Sequence, residues 1–128
     1  VDANDIAEVA ASALTEDKHN GKIYQLTGPE GLTFEEAVSL ISKASGRDIQ
    51  FTGISVKAYV AAMQQQNVPE DFIWLVEYLF TEVLGNPDNS EITNDIEKVL
   101  GRKPIHFKEY VERSVNNGVW DLAGVSFN

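Results

Sequence analysis

Lys22-Ile23-Tyr24-Gln25-Leu26-Thr27-Gly28-Pro29-Glu30-Gly31-Leu32-Thr33-Phe34-Glu35-Glu36 joins two structural patterns in one short stretch. Ile23, Tyr24 and Leu26 are apolar or β-favouring, so residues 22–27 predict a short strand that Gly28-Pro29 closes. Thr33 with Glu36 three residues later is a capping box. Ala37, Val38, Ile41 and Ala44 extend it as an apolar stripe to Gly46, which predicts a helix with a glycine C-cap. Working outward, residues 48–54 pass through Ile49, Phe51 and Gly53 and predict a second strand. Upstream, Ile6, Val9, Ala10, Ala13 and Leu14 recur at helical spacing behind Asp2 and Asn4, either of which can accept from free N–H groups at a helix start. Downstream, Ser55 caps a helix with Val56, Tyr59, Val60 and Met63 on one face.

The resulting order of helix, strand, helix, strand, helix is that of an α/β fold, because strands separated by a helix lie parallel through a right-handed crossover. Two parallel strands do not make a whole sheet, so their neighbours are expected from polypeptide outside these residues or from another subunit. The chain starts without methionine and without a basic or apolar leader, and is expected to begin inside something larger.

Beyond Pro69 a helix is predicted to about Leu84, with Phe72, Leu75, Val76, Leu79, Phe80 and Val83 as a wide apolar band that Gly85-Asn86-Pro87 stops. Thr93 is the expected cap of a short helix through Ile96, Val99 and Leu100, ended by Gly101. A last helix carries Phe107, Tyr110, Val111 and Val115 to Gly118. Trp120, Leu122, Val125 and Phe127 make the final ten residues too apolar for an idle end, and they are expected to dock.

The bulk numbers exclude several classes. The 128 residues are 43% hydrophobic, enough for a real core. Twenty acidic against ten basic residues give a formal charge of −10, which repels nucleic-acid backbones and anionic lipid, so no direct nucleic-acid partner is expected. No cysteine is present, which removes thiolate nucleophiles and disulfides and suits a reducing compartment such as the cytoplasm. Apolar runs fall far short of the roughly 20 residues that cross a bilayer.

Chemistry-bearing candidates are few. Gly28-Pro29-Glu30-Gly31 before a helix resembles a phosphate cradle, but Phe34 stands where a third glycine would be needed, Pro29 donates no N–H and Glu30 adds the wrong charge. A tyrosine acting as an acid is commonly followed four residues on by a lysine that lowers its pKa, but the residues four after Tyr24, Tyr59, Tyr78 and Tyr110 are Gly28, Met63, Glu82 and Ser114. His19 and His106 lack ligand spacing, so no metal site is expected. Glu35 with Glu36, and Asp95 with Glu97, sit in first helical turns where the helix dipole accounts for them. No catalytic or cofactor-binding residue is assigned. Trp74 and Tyr78, four apart beside Glu77 and Glu82, share one helix flank near Phe72. These three either line a substrate pocket or interface, or merely widen the core-facing band.

Val1-Asp2-Ala3-Asn4-Asp5-Ile6-Ala7, then residues 21–29, Leu32-Thr33-Phe34, Ser45-Gly46-Arg47, Val68-Pro69 and Gly101-Arg102-Lys103-Pro104 occur in an order that resembles the second half of NmrA-like atypical short-chain dehydrogenases, including the type 2 NAD(P)H:quinone oxidoreductases. The resemblance covers nearly all of residues 1–118. It implies the carboxy-terminal part of a Rossmann-type NAD(P)-binding protein, mostly helical with two short parallel strands. Residues 1–54 would end the sheet, and residues 55–128 would form a helical cap and tail on the substrate side. It implies NAD(P) in the full-length parent and none on this part alone, a missing amino-terminal Rossmann half as partner, and a small conjugated acceptor such as a quinone. A homo-oligomer is compatible with it. The same family includes NAD(P)-sensing proteins that bind a protein partner without turnover, which is the alternative function.

Overall fold

The computed structural model describes residues 1–121. It divides into two compact units, residues 52–91 and the chain on either side of them.

In the first unit, α1 (Ala3–Thr15) starts where predicted: Asp2 accepts the Asn4 N–H at 2.8 Å. Its far end turns through a 3-10 helix, Asp17–His19. In α2 (Phe34–Ser45) both halves of the capping box form, and Gly46 ends the helix in the left-handed region at φ 66°. The other helices of this unit are α5 (Asp95–Leu100) and α6 (Phe107–Asn116). Helices α3 (Val56–Gln65) and α4 (Glu70–Tyr78), which come between α2 and α5 in the chain, belong to the second unit. Helix α1 packs on α5, and α2 on α6. Val9, Ile96 and Val99 form the core, with Tyr24, Leu26 and Leu100 against it. Val111 on α6 is also buried.

Neither predicted strand forms: among the described residues there is no strand. The backbone around residue 25 is satisfied in another way. The Gln25 N–H donates to Asp95 Oδ2 at 2.9 Å, and its carbonyl accepts from the Thr93 hydroxyl. The Thr93 N–H donates to Thr27 Oγ1 at 3.0 Å. Side chains at the start of α5 thus take the groups that a strand ladder would use, in keeping with the need of main-chain polar groups for partners. The same bonds correct the expected cap. The Thr93 hydroxyl is engaged with Gln25, while Asn94 holds the N-cap position of α5 without a side-chain cap bond. Residues 48–54 likewise lack a ladder, and Phe51 and Ile54 remain exposed.

The second unit comprises α3 (Val56–Gln65) and α4 (Glu70–Tyr78), packed on each other. Ser55 caps α3 as predicted, accepting the Ala58 N–H at 3.1 Å. Helix α4 continues as a π-helical turn, Leu79–Val83. Gly85 follows, where a Cβ would sit 2.7 Å from the Thr81 carbonyl oxygen, so only glycine fits. Met63 and Ile73 are buried, and Tyr59 meets the Phe80 ring edge-on at 6.0 Å. The apolar band is narrower than predicted. Phe72, Leu75 and Leu79 are exposed and Ile73 is the buried residue of α4, because a unit of two main helices covers only one stripe of each. The expected docking of the tail concerns mainly residues 122–128, which lie outside the described residues.

Candidate functional site

The three residues proposed for a substrate pocket all lie on α4. Phe72, Trp74 and Tyr78 are 53%, 64% and 48% exposed. Trp74 and Tyr78, one helical turn apart, stack with ring centroids 5.6 Å apart and planes 18° from parallel. Four-residue spacing puts such side chains one above the other, so the helix itself sets the stack. The stacked pair leaves about half or more of each residue exposed to solvent, and Phe72 stands on the same helix outside the stack.

The clefts of the first unit have a different chemistry. One of about 800 Å³ runs along α2 and the start of α6, with Glu30, Glu35, Glu36 and Glu109 against Lys43 and Lys108. A second, of about 580 Å³, lies between the 28–34 loop and residues 105–110. Neither fits a dinucleotide pyrophosphate. At the α2 start the Glu36 N–H is already bound to Thr33 Oγ1 at 3.2 Å, and Glu36 Oε2 accepts from the Thr33 N–H at 2.8 Å. Those bonds from the Thr33 backbone and hydroxyl hold the Glu36 carboxyl below its usual range, so it stays anionic. Glu30 faces His106 Nδ1 at 3.3 Å. The loop therefore presents carboxylates where phosphate binding requires donors.

Two polar centres were not identified as such in the sequence. Asp5 is fully buried: Arg102 forms a close ion pair with Oδ1 at 2.7 Å, and the Ile105 N–H donates to Oδ2 at 2.8 Å. Arg102 also reaches Glu8 at 2.8 Å, and bonds to Glu8 and then Asp5 raise the guanidinium pKa further. A carboxylate in the first turn of an amphipathic helix reads as solvated, and nothing local announces a partner at the other end of the chain. The second centre is His19, buried rather than set in an open turn. Its Nδ1 lies 2.8 Å from Tyr24 Oη, and its Nε2 lies 3.2 Å from Ser12 Oγ. Since the Ser12 hydroxyl donates to Glu16 at 2.6 Å, it can only accept from the ring. Nε2 is then the nitrogen that donates to Ser12, and Nδ1 is the one that meets the tyrosine hydroxyl. The two histidines stay apart, and the described residues hold no metal-binding cluster. No helix is long and apolar enough to cross a membrane.

No family model matches the chain. It is 32% identical over 113 residues to the NAD(P)H azoreductase of Xenophilus azovorans, covering 88% of this chain and 39% of that protein. It is 31% identical over 110 residues to the uncharacterized oxidoreductase YesF of Bacillus subtilis, covering 86% and 38%. Among solved structures, the triphenylmethane reductase of Citrobacter sp. superposes with a TM-score of 0.72 at 26% identity, over 88% of this chain and 39% of that one. The chain thus spans just under two fifths of the length of these relatives. Sequence and fold agree on the placement: the chain matches the carboxy-terminal part of oxidoreductases of the NmrA-like family.

Proposed function

We propose that this chain is the substrate-side part of a longer cytoplasmic, NAD(P)H-dependent oxidoreductase that reduces a small conjugated acceptor such as a quinone. The carrying observation is the stacked Trp74–Tyr78 pair exposed on α4, within a chain that matches the far end of reductases. A conjugated acceptor laid on those rings would gain apolar contact and stacking. It would also be kept from water while a hydride is delivered. The cofactor, when bound, supplies that hydride. The 28–34 loop does not fit its phosphates, so its binding falls to an amino-terminal Rossmann half, and no step is assigned to the cofactor on these residues. What the residues here would do is orient the acceptor by stacking at Trp74 and Tyr78, with Phe72 on the same helix extending the apolar wall.

The relatives support that class of acceptor by their names. One is an azoreductase, and another is described by its action on triphenylmethane dyes. The test is a fusion that places this chain after the remaining amino-terminal part of the Xenophilus azovorans azoreductase. NAD(P)H oxidation is then followed with quinone and azo acceptors. Turnover that falls at least tenfold in Trp74→Ala and Tyr78→Ala is the expected result. A fusion that binds the dinucleotide but reduces no acceptor would refute the assignment.

A further inference from the structure

We infer that the Trp74–Tyr78 flank of α4 is a binding site for a planar organic cation, which rests on reading that flank as the acceptor site and narrows its ligand by charge. Glu70, Trp74, Tyr78 and Glu82 follow one another at four-residue steps, so the stacked rings have a carboxylate on either side along the helix. Asp71 and Glu77 stand three residues to either side of Trp74, and Asp71 also accepts the Phe72 N–H at 3.0 Å.

The charge of this unit is one-sided. Residues 52–91 contain six acidic residues and a single basic one, Lys57, and so contribute half of the chain's net charge of −10. The ion pairs among the described residues all lie in the first unit, where Asp2, Asp5, Glu8, Glu16, Glu30, Asp95, Glu97 and Glu112 each meet a basic group. Glu70, Glu77 and Glu82 have no such partner there and are exposed. Exposed aromatic rings with carboxylates one helical turn away, none of them in an ion pair among the described residues, are complementary to one kind of occupant. A delocalised cation stacks on the indole, which is the strongest ring for cation–π attraction, and meets the carboxylates at its edge. A neutral ring would gain the stacking alone. A second copy of the chain would bring one acidic face against another, and a phosphate or anionic lipid surface would be repelled.

The experiment uses the 128-residue chain and three bicyclic probes of similar area: N-methylquinolinium, neutral quinoline at mildly alkaline pH, and naphthalene-2-sulfonate. Binding is followed by NMR through the Trp74 indole N–H signal, identified by its loss in Trp74→Leu. The expected result is N-methylquinolinium binding roughly five- to tenfold more tightly than quinoline, with no shift from the sulfonate. That preference should shrink at high salt and in Glu77→Gln/Glu82→Gln, while the affinity for quinoline stays the same. Equal affinity for cation and neutral ring would overturn the charge assignment and leave the acceptor reading standing. Failure of all three probes to move the Trp74 signal would overturn both. These substitutions are at exposed positions, so loss of binding would not be a folding effect.

Discussion

At the scale of single residues, the strongest constraints come from two carboxylates that α1 carries into the interior. Asp5 is buried with Arg102 and the Ile105 N–H as its partners, so Arg102→Met should leave a charge with only one donor. Removing one partner of a fully buried pair costs about 3–5 kcal/mol, and because the Arg102 side chain is 36% exposed the expected loss here is nearer 2 kcal/mol. Urea unfolding measures it, and a loss below about 0.5 kcal/mol would show that the pair holds nothing together. Asp2 makes a pH test. Burial pushes its pKa up, but the Asn4 N–H and the Arg113 guanidinium, 2.5 Å away, outweigh burial and leave it below the ordinary 3.8. A lowered folded pKa means stabilisation that is present above the ordinary value and lost as pH falls through the folded one. Asp2→Asn, which keeps a capping side chain, should therefore be less stable than the parent at neutral pH and converge with it as the pH falls through the lowered pKa. A gap that stays constant with pH would contradict the ion pair.

At the scale of elements, the helix starts are where local chemistry decides the outcome. Asp2, Thr33 with Glu36, and Ser55 all cap as their spacing predicts, because a cap is a bond between a side chain and an N–H two or three residues away. Thr33→Ala should lower stability by about 1 kcal/mol in a thermal or urea melt, with the loss confined to α2 in hydrogen exchange. Thr93 shows the limit of the same rule. Its hydroxyl can cap α5 or bind Gln25, and the choice depends on a segment 68 residues away in sequence. The strands are a sharper case of this dependence. A strand exists only with a neighbour to bond to, so the β-favouring residues 22–27 mark a strand's composition without supplying its ladder. Likewise the aromatic row of α4 was legible from four-residue spacing, whereas Asp5 with Arg102 and Ser12 with His19 and Tyr24 were not, since each joins side chains that only tertiary packing brings together.

For the whole molecule, the exposed apolar residues are as informative as the core. Ile23 is 96% exposed and Leu14 87%, alongside Phe51 and Ile54. The chain also spans under two fifths of its relatives, so these surfaces are available for polypeptide that the relatives have and these residues do not. Light scattering of the 128-residue chain should show self-association that Ile23→Lys reduces. A clean monomer before and after the substitution would show that the exposed residues are not sticky. The most direct measurement is a calorimetric titration of NADPH into the chain alone and into its fusion with the amino-terminal part of the azoreductase. Saturable binding by the fusion and no binding by the chain alone is the expected pair of results. Micromolar affinity in the 128 residues by themselves would contradict a division in which the cofactor is held elsewhere and this part covers the substrate.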